Sequence, residues 1–268
     1  GISKKELAAI AVTRGPGLMG SLLVGVSFAK AFAKSLDIPL IDVNHMQAHV
    51  LAHFISETRP KFPFICLTVS GGHTQLVLVK DHLTMEVIGE TQDDAVGEAF
   101  DKTAKLLGLP YPGGPLLDRH AKEGNPKAFT FPVTRMPGLN YSFSGIKTAV
   151  LYFLRDRLAE NPNFIAENLA DLCASIQYTL VEMLLIKLKV AMKEYGITEV
   201  AIAGGVSANS GLRTTLSALS LRKGWTLYVP EFEYCTDNAG MIAMAAHYKY
   251  LRGEFVGYDI APLAKMKF

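Results

Sequence analysis

Leu7 to Thr13 (LAAIAVT) is an unbroken apolar run, and Arg14-Gly15-Pro16-Gly17 ends it abruptly. A run this short and this uniformly apolar predicts a strand covered on both faces, as in a parallel sheet. From Gly20 to Leu36 the period changes, with Leu23, Val26, Ala29, Phe32 and Ala33 recurring at helical spacing. Leu40 to Val43 reads as the next strand and His45 to about Glu57 as the next helix. Parallel neighbours need a crossover between them, so β-α-β-α commits this part of the chain to a layered α/β fold.

The texture changes after Arg59-Pro60-Lys61-Phe62-Pro63. Phe64 to Val69, Gln75 to Lys80 and Leu83 to Thr91 read as an antiparallel meander, its first turn Ser70-Gly71-Gly72-His73, and a second lobe is expected to begin here. Ala95 to Leu107 reads as a helix with Asp93 or Asp94 near its cap. The Gly- and Pro-rich stretch from Gly108 to about Asn140 is interrupted by a short helix, Leu116 to Glu123, and a loop region of that length is usually functional. Helices follow over Ser144 to Leu158 and Asn168 to Tyr195, the latter stopped by Gly196. Glu199 to Ala203 is a buried strand, Ser210 to Lys223 a helix and Thr226 to Val229 a strand. Glu231 to Thr236 is a loop, and Asp237 opens a last helix running to Leu251.

The 268 residues suit one large domain or two lobes, and a hydrophobic fraction of 49% fills a sizeable core. A formal charge of +2 is too mild to announce nucleic-acid binding, although it leaves room for a local basic face. Cys66, Cys173 and Cys235 are scattered without a Cys-x-x-Cys pair, which argues for a reducing compartment and for cysteines used as small hydrophobes. No apolar run reaches the ~18 residues of a membrane span, and the opening does not read as a signal peptide. A cytoplasmic globular protein without a membrane segment is therefore the expectation. Gly1 to Glu6 reads as a helix end or loop feeding a strand with no initiator Met, so a fragment of a longer chain is expected.

Three glycine-rich turns follow three apolar strands: Arg14-Gly15-Pro16-Gly17, Ser70-Gly71-Gly72-His73 and Gly204-Gly205-Val206-Ser207. Strand ends are where α/β sheets bind ligands, and glycines there let backbone N–H groups approach an anion. None matches a P-loop or a clean Gly-x-Gly-x-x-Gly. Ser70-Gly71-Gly72 suggests a phosphate-gripping hairpin, and Gly204 to Asn209 a nucleoside pocket in which Asn209 would bond ribose or a base edge. Asp101 and Asp118 are candidates for ribose hydroxyls or a bound metal, against the plainer reading of solvated helix residues.

His45-Met46-Gln47-Ala48-His49 follows a strand, with Asn44 as a good N-cap. On a helix the two imidazoles lie one above the other on one face, which is how a helix offers two nitrogens to one metal ion. The plainer reading is a half-exposed helix with two histidines and no metal.

Eight stretches together resemble the bacterial tRNA N6-adenosine threonylcarbamoyltransferases: Gly15-Pro16-Gly17-Leu18, His45-Met46-Gln47-Ala48-His49, Val69-Ser70-Gly71-Gly72-His73-Thr74-Gln75, Phe100-Asp101-Lys102, Pro112-Gly113-Gly114-Pro115, Ser142-Phe143-Ser144-Gly145, Gly204-Gly205-Val206-Ser207-Ala208-Asn209 and Asp237-Asn238-Ala239. They run in that family's order along essentially the whole chain. The resemblance implies the two-lobed actin/Hsp70/sugar-kinase (ASKHA) superfold with a ligand cleft between lobes. Its lobes would be residues 1–63, residues 64–236, and a C-terminal helix in residues 237–268 packing back towards the first. The family carries a Glu-Thr-Ser-Cys-type strand and further strands before the equivalent of Leu7, so N-terminal strands are expected to be missing here and Leu7 to Thr13 to be an exposed edge.

The resemblance also implies a reaction, the transfer of threonylcarbamoyl from threonylcarbamoyl-AMP to N6 of adenosine 37 in tRNAs reading codons that begin with A, with release of AMP. It implies His45, His49 and Asp237 as ligands of one divalent ion, Fe2+ first and Zn2+ second. It implies Thr68, Val69, Ser70, Gly71, Gly72, Asp101, Gly114, Asp118 and Asn209 as the adenylate site. It implies as partners tRNA, a paralogous scaffold subunit, a small ATPase and an upstream threonylcarbamoyl-AMP synthase. No residue reads as a general base.

Three alternatives compete. A zinc peptidase of the His-Glu-x-x-His type needs a Glu where this chain has Met46, which cannot take a proton. A small-molecule kinase of the same superfold would leave the two-His helix unexplained. A non-catalytic relative would not be expected to keep both histidines, Asp237 and all three glycine turns.

Overall fold

The computed structural model describes residues 3–268, so Gly1 and Ile2, part of the expected opening loop, lie outside the described residues. Ser3 begins a short 3-10 turn, Lys4–Glu6, closed by reciprocal Ser3 and Glu6 hydrogen bonds. The chain divides into two compact units. One takes the residues up to Pro63 with Val79–Glu86 and Pro230–Phe268, and the other takes Phe64–Leu78 and Val87–Val229.

In the first unit, β1 (Ile10–Gly15) and β2 (Leu40–Asn44) pair in parallel, with α1 (Met19–Leu36) as the crossover. The expected strand at Leu7 starts three residues later, at Ile10, whose N–H bonds Pro39 O. β2 is buried throughout, whereas β1 is half-buried. Leu22, Val26, Ala29 and Ala33 turn one face of α1 inward, and Asp37 ends it in the left-handed conformation. On the other face Leu18, Val24 and Phe28 are 81%, 72% and 69% exposed.

α2 (His45–Leu51) is shorter than its sequence suggests and tightens into a 3-10 turn, Ala52–Phe54. There Phe54 enters an aromatic cluster with Phe62 and His82, and His82 stacks on Tyr248 at 3.7 Å between ring centroids. Burial in that cluster pushes the His82 imidazole below its usual value. A buried ion network fixes β2 to the C-terminal part of the unit: the Asp42 carboxylate accepts from Arg14 and from Lys249.

The second unit is built on a sheet of order β5-β4-β3-β6-β7, over β3 (Phe64–Val69), β4 (Thr74–Val79), β5 (Met85–Glu90), β6 (Glu199–Ala203) and β7 (Thr226–Tyr228). Strands β3 and β6, and β6 and β7, are parallel, while tight turns join β3 to β4 and β4 to β5 as hairpins. Helices α3 (Val96–Leu106), α4 (Gly113–Ala121), α5 (Ser144–Glu160), α6 (Phe164–Tyr195) and α7 (Ser210–Lys223) supply its other layers. α6 begins four residues before the expected Asn168, which is instead a kink with φ −122°. Leu172, Ile176, Leu180, Leu184 and Leu188 are fully buried along it, each worth about 1.5–3 kcal/mol of transfer free energy. The segment expected as a loop after Pro230 contains a single helical turn, α8 (Phe232–Cys235), before α9 (Ala239–Leu251).

Two helices, α1 and α6, are long and apolar enough by length and composition to cross a bilayer, which corrects the expectation that no stretch is. Polar and charged side chains break the run in both, Ser27 and Lys30 in α1 and Gln177 and Glu182 in α6, yet the averaged hydropathy still reaches 1.2 and 1.5. The apolar window of α6 is 67% buried as a core helix, and that of α1 is 22% buried. Cys66, Cys173 and Cys235 are buried thiols, as small hydrophobes are.

Asp93 does not cap α3, whose N-cap residue is Ala95. It reaches across the chain to α5, accepting from Ser142 Oγ, Phe143 N, Ser144 N and Ser144 Oγ. Burial acts to raise this carboxyl's pKa, but those hydrogen bonds outweigh it and hold it below the usual value. A depressed folded-state value stabilises the fold above the unfolded value of about 3.9 and ceases to do so as pH falls through the folded one. Asp93→Ala is therefore expected to cost about 1–2 kcal/mol at pH 7, as lost caps do. The difference from the parent protein should shrink as the pH is taken below about 3.5 in urea denaturation. An equal cost at both pH values would contradict a charged cap.

Candidate functional site

The Asn44 side chain caps α2, with Oδ1 accepting from Met46 N at 2.9 Å and Gln47 N at 3.2 Å. Its Nδ2 donates to Lys267 O, so the start of the two-His helix is held from both sides. With that start fixed, His45 and His49 lie one turn apart, ring centroids 4.8 Å from each other and planes at 85°. His49 is 3% exposed. Met46, where a peptidase would need its Glu, is buried.

Asp237 stands just before Asn238, whose side chain caps α9 through Met241 N. Its Oδ1 lies 3.2 Å from His45 Nε2 and 3.3 Å from His49 Nε2. Hydrogen bonding and charge from the two imidazoles hold the Asp237 carboxyl far below the usual carboxylate range. The ligand atoms of the three residues lie within 4.8 Å of one another. Two imidazoles and a carboxylate are a donor set for a divalent transition metal, and three protein ligands leave positions for substrate oxygen. The residues fit such an ion: both Nε2 atoms and the carboxylate converge on one point. His49 Nδ1 is buried with no hydrogen-bond partner, so the ring is held by protein bonding at Nε2 alone.

The remaining site residues all lie in the second unit, where the structure links them in a circuit. Val69 ends β3, and Gly204, with φ +88°, presses its backbone against the Val69 carbonyl. Asn209, closing the same segment, caps α7 through Oδ1 to Leu212 N and donates from Nδ2 to Gln177 Oε1 at 2.8 Å. Beside it Ser210 donates from N and Oγ to the Asp118 carboxylate. Asp118 and Gly114 are i, i+4 on α4 and share a face. Gly113 and Gly114 donate their N–H groups to Asp101 Oδ1 at 2.8 and 2.9 Å. Asp101 and Gly97 are i, i+4 on α3, and Gly97 N donates to Ser70 O, which closes the circuit.

Several roles differ from those the sequence suggests. Thr68 and Val69 are fully buried, so only their backbone can face a ligand. The Asn209 amide is already bonded at both ends, which leaves its second Nδ2 hydrogen and second Oδ1 lone pair for ribose. Both Asp118 oxygens serve Ser210, whereas Asp101 uses only Oδ1 to hold the first turn of α4. Gly15 offers no room for a ligand, because a Cβ there would meet Leu263 O at 2.0 Å. The C-terminal tail lies along that first glycine turn, with Leu263 N donating to Arg14 O and Gly17 N to Ala264 O. Gly71 and Gly72 are exposed, with nothing within 4 Å of a built Cβ.

Gln177 and Gly97 escaped the sequence reading, and Asp93 was placed by it at the wrong helix. Gln177 carried a signal: it is a polar side chain inside an apolar helical stretch, and it is buried. Two basic residues of the second unit are tied into the fold: Lys187 donates to the Met136 and Gly138 carbonyls and Arg213 Nε to Ser207 O.

Comparison with known proteins is consistent along the whole chain. The family model described as tRNA N6-adenosine threonylcarbamoyltransferase matches residues 1–244. The tRNA N6-adenosine threonylcarbamoyltransferase of Cytophaga hutchinsonii is 62% identical over 266 residues, 99% of this chain and 78% of the relative. That of Christiangramia forsetii is 60% identical over 270 residues, 100% of this chain and 79% of the relative. Among solved structures, full-length HypF superposes with a TM-score of 0.66 at 14% identity, over 91% of this chain and 39% of HypF. T. kodakarensis HypF gives 0.64 at 16% identity, over 93% and 41%. At such identities HypF shares the mixed α/β fold alone. The relatives above 50% identity and the match to residues 1–244 place the chain in the tRNA N6-adenosine threonylcarbamoyltransferase family.

Proposed function

We infer that this chain transfers a threonylcarbamoyl group from threonylcarbamoyl-AMP to N6 of adenosine 37 in tRNAs reading codons that begin with A. The observation that carries the reading is the convergence of His45, His49 and Asp237 on one point in a chain of this family. The amine nitrogen forms a bond to the carbamoyl carbon, the bond from that carbon to the phosphate oxygen breaks, and AMP leaves with the electron pair. The displaced N–H proton passes to solvent, since no side chain is assigned as its base.

His45, His49 and Asp237 would hold one divalent ion, Fe2+ first and Zn2+ second. When bound, it supplies a Lewis acid for a carbonyl or phosphate oxygen. The exposed Gly71 and Gly72 N–H groups would meet the donor's phosphate, as backbone nests do. Asp101 Oδ2 would orient a ribose hydroxyl. Gly114, Asp118 and Asn209 shape the nucleoside side of the same circuit, and Thr68 and Val69 present its floor.

The superfold we assign is the two-lobed actin/Hsp70/sugar-kinase type, with lobes of residues 1–63 and 64–236 and residues 237–268 returning to the first. By family resemblance the partners are tRNA, a paralogous scaffold subunit, a small ATPase and an upstream threonylcarbamoyl-AMP synthase, in the cytoplasm.

The test supplies unmodified tRNA, threonine, bicarbonate, ATP and the three protein partners, followed by nucleoside analysis. Threonylcarbamoyl-adenosine is expected only when this protein is present. Its absence, with the metal bound and the synthase shown to make adenylate, would overturn the reading.

A further inference from the structure

The hairpin around Ser70–His73 is gripped from two sides by two glycines, Gly97 and Gly204. Gly97, in the first turn of α3, is buried, and a Cβ on it would lie 2.6 Å from Ser70 O and 2.9 Å from both Gly71 Cα and Gly71 N. Gly204, at the end of β6, would place a Cβ 2.5 Å from Val69 O and 3.0 Å from Val69 C. All of these neighbours are backbone atoms, which cannot rotate out of the way as a side-chain tip can. Two N–H groups at the start of α3 are spent on the same hairpin: Gly97 N donates to Ser70 O at 3.2 Å and Val96 N to Thr74 Oγ1 at 2.9 Å. The N-terminus of α3 is thus a seat for the hairpin rather than an open anion site. Ser70 closes the turn itself, with N donating to His73 O and Oγ accepting from His73 N. The two residues at its tip, Gly71 and Gly72, stay exposed.

We propose that Gly97, with Gly204 opposite it, is a positioning residue for the donor nucleotide. Backbone-to-backbone packing at these two points sets the depth of the Ser70–Gly72 hairpin, and so where its N–H groups meet phosphate. This rests on the reading of the hairpin as the phosphate grip. Alanine at position 97 suits a helix better than glycine does, so a loss of binding there cannot come from weaker helix formation. The methyl group instead has to push the hairpin away from α3 by a few tenths of an ångström or more.

The experiment is calorimetric titration of the full chain with AMP, alongside metal content and melting temperature. Gly97→Ala is expected to weaken AMP roughly tenfold or more, since small misplacements at a site cost that much, and to raise KM for the adenylate more than it lowers kcat, with metal content unchanged. Gly20→Ala, where a built Cβ meets nothing within 4 Å, is the control and should bind as the parent does. Thr74→Val removes the Val96 hydrogen bond with little change of volume and should weaken AMP about threefold, a net hydrogen bond's worth, with Thr74→Ser restoring it. If the parent protein binds no adenylate, the phosphate-grip reading fails and this proposal with it. If the parent binds AMP and Gly97→Ala binds it equally well, the proposal alone is overturned. Should Gly97→Ala fail to fold, the Thr74 pair decides, and Thr74→Val with parental AMP affinity overturns the proposal.

Discussion

His49→Ala protein will purify without its divalent ion, and its transfer activity will be lost with the metal. His49 is 3% exposed on a helix whose start is tied down by Asn44, so its Nε2 is offered in one place. Removing a residue that merely orients a metal ligand commonly costs 10–100-fold in metal affinity, and removing a ligand costs at least the upper end of that range. Asp237→Asn is the graded comparison. It keeps an oxygen near both Nε2 atoms but loses the charge, and Asp237 is an exposed side chain. The expected order of metal content, by elemental analysis after dialysis against a weak chelator, is parent, then Asp237→Asn, then His49→Ala. Parental metal content in His49→Ala would remove the residue from the ligand set. Met46→Glu offers a second check, since it restores the peptidase pattern in sequence. The Met46 position is buried, so this variant should lose stability rather than gain proteolysis.

Phe143→Ala will lose about 3–5 kcal/mol of stability, the cost of emptying a fully buried aromatic site. Phe143 belongs to Ser142-Phe143-Ser144-Gly145, one of the stretches that carry the family resemblance. The structure makes it core. It is fully buried, its ring stacks on Tyr141 at 5.8 Å, and its N–H is bonded to Asp93. Tyr141 is itself buried, and that burial raises its phenol well above the usual value. In a chain of this size the melting point should fall by roughly 10 °C. The metal content should stay parental, because His45, His49 and Asp237 belong to the other unit. A melting point within about 2 °C of the parent, too little for a buried aromatic, would mean the site is not packed as described.

The sequence by itself determined the strand and helix alternation, because apolar runs of period 2 and 3.6 are local properties and survive in any packing. It determined the two-His helix for the same reason: Asn44 and the i, i+4 spacing act within one turn. The family stretches were legible because each is a contiguous string. Only the tertiary structure decided what depends on groups distant in the chain. Asp93 is 49 to 51 residues from the hydroxyls and amides it caps, and its neighbourhood in sequence points to the wrong helix. Gln177 meets Asn209 across 32 residues. The three glycine turns look alike in sequence, yet the C-terminal tail fills the space at Gly15, Gly204 packs against a strand end, and Gly71, Gly72 and Gly205 have nothing within 4 Å of a built Cβ. A glycine records that a side chain is absent, and what lies in the space it leaves is set by the rest of the fold. The same holds for His45 and His49. Their spacing offered two nitrogens to a metal, and only the fold brought Asp237, 188 residues beyond His49, to meet them.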